Sequence, residues 1–170
     1  MNFKRVVFAL VLLVVTHVSA LKVYAANFKP HQVKAVYVFR MANFIRWTSE
    51  PEMKSLNFCI IGDDQVKRVL KTITEGKVIR ALPIRITSEM KPDCNVTYIS
   101  GYKSKFDRKK YNLPSNVTIS DEKNFTKQGG IIELQTVSNQ IKPKISLENA
   151  QLGDYTIGSN LLRIATVEGK

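Results

Sequence analysis

The sequence predicts an α/β fold: one domain with a mainly parallel sheet flanked by helices and an antiparallel hairpin near its C-terminal end. Three observations carry this. Leu56-Asn57-Phe58-Cys59-Ile60-Ile61 is a short apolar run that stops at Gly62-Asp63-Asp64, the signature of a buried strand that turns into a helix. Further short apolar runs then alternate with segments of helical pattern, as in a parallel sheet with crossover helices. Finally, two strand-like runs flank a tight polar turn at Val137-Ser138-Asn139-Gln140, which reads as a hairpin.

Taken in order, the chain begins with Lys4-Arg5, an almost wholly apolar run from Val6 to Val15, and small residues at Val23-Tyr24-Ala25. A charged start, a short apolar core and a small-residue end describe a secretory signal peptide over residues 1–25. Val18-Ser19-Ala20 is a competing cleavage site, and an uncleaved N-terminal anchor is the alternative. A run of about ten residues is short of the roughly 20 that span a bilayer. The mature domain is expected over 26–170, outside the cytoplasm. Pro30 to Trp47 carries Val33, Val36, Tyr37, Phe39, Phe44 and Trp47 at helical spacing, so a largely apolar helix is expected there. Asp63 or Asp64 caps a helix from Gln65 to Thr74. Pro83–Thr87 alternates and reads as a strand near the sheet edge. Cys94–Ser100 is a second buried strand. A helix is expected over Gly101–Leu113, closed by Pro114, then a strand over Asn116–Ser120 and a short turn or helix from Asp121 to Phe125. Gly129-Gly130 opens a strand at Ile131–Gln135, and Ile141–Leu147 returns beside it. Glu148–Leu152 and Gly158–Val167 read as helical pieces.

Lys and Arg outnumber Asp and Glu by 26 to 14, a formal charge of +12. Three of these charges, Lys4, Arg5 and Lys22, lie in the first 25 residues, which hold no acid, so the remainder carries +9. Such a balance suits nucleic acid, anionic membrane or an acidic partner. Export argues against nucleic acid. The basic residues are spread along the chain, with one cluster from Lys103 to Lys110 that reads as a solvated helix face.

The two cysteines, Cys59 and Cys94, are expected to pair, because an exported chain meets an oxidising compartment. Two buried thiols on different strands are the alternative. Zinc asks for four close ligands, and beyond the leader the chain offers two distant cysteines and His31. Neither a metal nor a cofactor is expected. A Ser-His-Asp or Cys-His set has only His31 to draw on. Asp63-Asp64 lies where α/β folds place chemistry but reads as a turn with a helix cap. Gly129-Gly130 lacks the Lys-Ser/Thr of a phosphate loop. Three glycosylation sequons, at Asn95, Asn116 and Asn124, read as incidental. No convincing active site emerges, and the protein is not expected to be an enzyme.

With these segments laid out, the chain resembles the YfiR-like family of bacterial periplasmic proteins. Lys34-Ala-Val-Tyr-Val-Phe-Arg-Met-Ala-Asn-Phe-Ile-Arg-Trp47 is similar to the family's first helix. Phe58-Cys-Ile-Ile-Gly-Asp63 is similar to its first strand and Cys94-Asn-Val-Thr-Tyr-Ile-Ser100 to its Cys-to-Ser strand. Val117–Asp121, Phe125, Gly129–Ile132, Asn139, Ile145–Ala150 and Ser159–Leu162 continue the series. The resemblance implies a repressor of an inner-membrane diguanylate cyclase, bound at the cyclase's periplasmic sensor region. Cyclic di-GMP and biofilm formation are thereby held down. It further implies sequestration of the repressor by an OmpA-like outer-membrane lipoprotein, and members of the family often form homodimers. Cys59 and Cys94 match a family pair. A second family pair, near the C-terminal hairpin, has no counterpart here, which leaves open whether the one bond is a redox switch or purely structural.

A binding protein needs a surface. Phe39, Phe44 and Trp47 on the first helix and the Leu161-Leu162 pair near the end are the candidate partner-binding residues; core packing is the alternative for all of them. The competing function is a periplasmic small-ligand sensor that takes an anion at the strand ends.

Overall fold

The computed structural model describes residues 28–101, 106–138 and 140–169. The expected signal peptide lies outside these residues, as do Asn139 and positions 103–105 of the basic cluster. Among the described residues no helix is long and apolar enough to cross a membrane.

The chain folds as one α/β domain. Helix α1 (Pro30–Asn43) opens on Pro30, whose fixed φ suits a first helical position, and buries Ala35, Val38, Met41 and Ala42. Strand β1 (Ile45–Trp47) follows at once. Strand β2 (Leu56–Ile61) is almost wholly buried. It leads through Gly62 into α2 (Asp64–Thr74), where the Asp63 carboxylate accepts the amides of Gln65 and Val66. That cap satisfies two of the amides that every helix start leaves without partners. Val66, Leu70 and Thr74, four residues apart, form the inward stripe.

Strands β3 (Val78–Ile79) and β4 (Leu82–Thr87) form a small hairpin at one margin. Strands β5 (Val96–Ile99) and β6 (Val117–Ser120) are buried at every position, as central strands covered on both faces must be. Between them lies a single helical turn, α3 (Arg108–Tyr111). Strands β7 (Ile132–Val137) and β8 (Gln140–Ser146) make the expected antiparallel hairpin. Then come α4 (Leu147–Ala150), β9 (Tyr155–Ile157), α5 (Ser159–Ile164) and β10 (Thr166–Glu168). The main sheet has the order β10-β8-β7-β6-β5-β2-β4-β3, and its middle pairs are parallel. The core lies between this sheet and helices α1 and α2, built on Phe58, Ile60, Leu70, Val96, Tyr98 and Ile119.

Four expectations are corrected. The first helix does not reach Trp47. It stops at Asn43, and Ile45-Arg46-Trp47 pairs antiparallel with β9. Ile45 and Trp47 point inward and Arg46 outward, a period of two that overlaps a helical pattern over so short a stretch. The helix expected over 101–113 is, among the described residues, only Arg108–Tyr111. Asp107 caps it and Asn112 ends it. The helix expected from Gly158 to Val167 ends at Ile164, and Thr166–Glu168 pairs parallel with β8 as an outer strand. The helical piece expected over Glu148–Leu152 runs instead over Leu147–Ala150, capped by Ser146, whose hydroxyl accepts from the Asn149 amide.

Candidate interaction surface

The chain leaves β2 toward β4 on one side and later returns to β5 on the other, so the topological switch point lies beyond the carboxyl ends of β2 and β5. Gly62 fills it. Its φ is +82°, and a Cβ there would strike the Ser100 carbonyl oxygen. The Ser100 amide also donates to the Ile61 carbonyl at 3.0 Å.

Carboxylates at this end are already engaged. Asp63 caps α2, Asp64 pairs with Lys67, and Glu122 accepts the Gly101 amide at 2.8 Å. Asp121 accepts from Lys34 and, at 2.7 Å, from the Tyr98 hydroxyl. Burial alone would raise the Asp121 pKa, but donation by Lys34 and Tyr98 holds it below the usual carboxylate range. Burial, reinforced by Asp121, pushes the Tyr98 phenol far up, so it stays a neutral donor. Among the described residues no group of three His, Cys, Asp or Glu side chains could hold a metal ion.

Cys59 and Cys94 are joined. Cys59 lies in β2, Cys94 two residues before the adjacent β5, and their Cα atoms are 5.9 Å apart. Two of the three sequons are closed to a glycan in the fold. Asn95 and Asn116 are buried, and each is hydrogen-bonded, Asn95 to the Asn57 amide and Asn116 to Thr97 and the Tyr111 carbonyl.

The most distinctive apolar surface is a groove of about 230 Å³ between α1 and α5. Val36, Tyr37, Met41 and Phe44 form one wall, Leu161 and Ile164 the other, and Pro143 of β8 contributes to the lining. The small β1–β9 sheet builds it. By pairing Ile45 with Ile157 it brings the end of α1 against the start of α5, and the Gly158 amide donates to the Phe44 carbonyl at 2.7 Å. A Cβ on Gly158 would lie 2.9 Å from that oxygen, so only glycine permits the approach. The Tyr37 hydroxyl ties α1 to β8 by donating to the Ile141 carbonyl at 2.8 Å. Ile164 is 61% exposed, an unusual state for a large apolar side chain beside other apolar groups. Arg40 stands exposed at the rim and takes part in none of the ion pairs among the described residues.

Of the five candidate partner residues, Phe44 and Leu161 line this groove. Phe44 is partly exposed, while Leu161 is 1% exposed and reaches the groove from the core. Leu162 and Phe39 are partly buried against the core, with the Lys77 ammonium 5.7 Å from the Phe39 ring. Trp47 is buried, and its indole N–H donates to the Ser115 carbonyl at 2.8 Å. The Arg80 guanidinium lies over its ring and also donates to the Ile45 carbonyl and to Glu50. That hydrogen bond from Arg80 holds the Glu50 carboxyl below its ordinary pKa. The groove residues Val36, Tyr37 and Met41 belong to the apolar helix the sequence singles out. Pro143 and Ile164 carry no local signal and enter only through the tertiary fold.

The switch point of this α/β domain is closed by Gly62 against Ser100, the carboxylates beside it are held in structural bonds, and an apolar groove with Arg40 at its rim lies between α1 and α5. The model of the YfiR/HmsC-like family matches residues 31–166, most of the chain, and the protein belongs to that family. No curated protein matches the sequence.

Proposed function

We propose that this protein is an exported periplasmic regulator that binds the periplasmic sensor region of an inner-membrane diguanylate cyclase and represses it. Cyclic di-GMP and biofilm formation fall as a result. The observation that carries this reading is family membership over residues 31–166. Residues 1–25 serve as the export signal, cleaved after Ala25, and 26–170 form the regulatory domain. The protein works by binding and not by catalysis. A protein that prefers one state of its partner shifts that partner's equilibrium by the difference in affinity, with no chemistry of its own.

The α1–α5 groove is the surface for the cyclase. Phe44 and Ile164 contact it directly and Leu161 shapes the floor, while Phe39 and Leu162 pack against the core outside the groove lining. Trp47 holds β1 in place behind it. Capture by an OmpA-like outer-membrane lipoprotein releases the cyclase. The test is site-specific photo-crosslinking in cells, with the photoreactive residue placed at Phe44 or Ile164. The expected result is a crosslink to a membrane diguanylate cyclase from both positions and none from exposed Lys54, which lies outside the groove. Crosslinks that never contain a cyclase would overturn the reading.

A further inference from the structure

The sheet has an open edge. Strand β4 runs for six residues, but β3 pairs only with Leu82 and Pro83. Beyond Pro83, the outer side of Ile84-Arg85-Ile86-Thr87 receives no backbone hydrogen bond from any other described strand or loop. A row of unpaired N–H and C=O groups is a template for another strand. Proteins usually protect such edges. Here Pro83, which has no amide to give, stands in the half that β3 already covers.

A groove of about 660 Å³ runs between this edge and the end of α2, with Ile84, Ile86 and Pro83 along one side, Val78 at one end, and Lys71, Lys77 and a single carboxylate, Glu75, among the residues of its other side. Val78 is 57% exposed. A helix and a strand edge flanking a trough with one apolar side is the geometry in which extended peptides add to a sheet, main-chain bonds giving affinity and alternate side chains giving selectivity.

The charges decide the occupant. Arg85 is exposed on the opposite face of β4 from Ile84 and Ile86, and neither Arg85, Lys71 nor Lys77 is in an ion pair among the described residues. A second copy of this chain paired β4 to β4 would bring two Arg85 side chains and two lysine rims to one seam, where like charges repel. We infer that the Ile84–Thr87 edge receives an extended acidic segment of another protein, as an added strand. Its apolar residues alternate over Ile84 and Ile86, and its carboxylates lie on the other face, beside Arg85. Four open residues at about 3.3 Å each span roughly 13 Å, so the recognised core is four or five residues long. This inference does not depend on the identity of the cyclase or on the α1–α5 groove.

The probe is a fluorescein-labelled acetyl-Glu-Val-Asp-Val-Glu-Val-Asp-amide peptide, titrated by anisotropy into the mature protein. The expected result is saturable binding that falls at least about tenfold when the valine nitrogens of the peptide are methylated, since its donors are then lost. A similar fall is expected for the Arg85→Glu protein, whose unchanged melting temperature confirms its fold. Hydrogen exchange over 82–87 slows in the complex. Four outcomes overturn the inference: no binding at millimolar peptide, equal binding of the methylated peptide, protection elsewhere than β4, or a β4–β4 homodimer in sedimentation.

Discussion

Replacing both members of the disulfide, Cys59→Ala with Cys94→Ala, isolates what the bond contributes. The two cysteines are 35 positions apart. Closing a loop of that length removes conformational freedom from the unfolded chain, which the chain-entropy relation puts at about 4 kcal/mol. That is a large share of the roughly 5–15 kcal/mol that holds a domain together. Both side chains are buried, Cys94 at 0% and Cys59 at 1% exposure, and alanine fills each site without placing a polar group there. For a domain of this size about 4 kcal/mol corresponds to a fall in melting temperature of roughly 10–20 °C. The assay is thermal and urea unfolding followed by circular dichroism, with the reduced wild-type protein as a second sample. The variant and the reduced protein are expected to melt together, well below the oxidised protein. A variant that melts within about 3 °C of the oxidised wild type would refute the reasoning, as would alkylation of native wild-type cysteines without reductant.

Three further outcomes follow from the geometry. Asp121→Asn leaves the half-buried Lys34 without its carboxylate and is expected to cost about 1–3 kcal/mol at neutral pH. Because the folded carboxyl is held below its ordinary pKa, this stability is present above about pH 4 and is lost as pH falls through the folded value. The gap between wild-type and variant melting temperatures should therefore narrow on acidification. Gly62→Ala forces a side chain into a left-handed position against the Ser100 carbonyl and is expected to cost at least about 2 kcal/mol in urea unfolding. Ile164→Asp changes a 61% exposed side chain. Its melting temperature should stay near wild type while repression of the cyclase, read as cellular cyclic di-GMP, is lost.

The legible parts of this fold are those whose signals are local. Leu56–Ile61, Gly62 and Asp63 announce strand, turn and cap within eight residues, and the structure keeps all three in place. The β7–β8 hairpin is legible for the same reason. What the sequence hides depends on distant partners. Ile45–Trp47, Tyr155–Ile157 and Thr166–Glu168 are strands of three residues each, too short for alternation to stand out from a helical pattern. The β3–β4 turn is Arg80-Ala81, with φ of +48° and +70°, where such turns favour Asn-Gly. Arg80 occupies it because its guanidinium is tied to Ile45 and Glu50, which no local pattern reveals.

The candidate surface follows the same rule. Phe44 and Leu161 stand out in the sequence as apolar residues, but their meeting depends on the hidden pairing of β1 with β9. Trp47, equally prominent, is held inside by Ser115 and Arg80. The Lys34–Asp121 pair spans 87 positions and has no local signature at all.

The proposal that the protein represses a diguanylate cyclase is tested most directly by cellular cyclic di-GMP in a strain lacking the gene, with and without complementation. The account predicts a rise that the wild-type gene reverses and the Ile164→Asp gene does not. An unchanged level, under conditions where the wild-type protein is present in the periplasm, would contradict it.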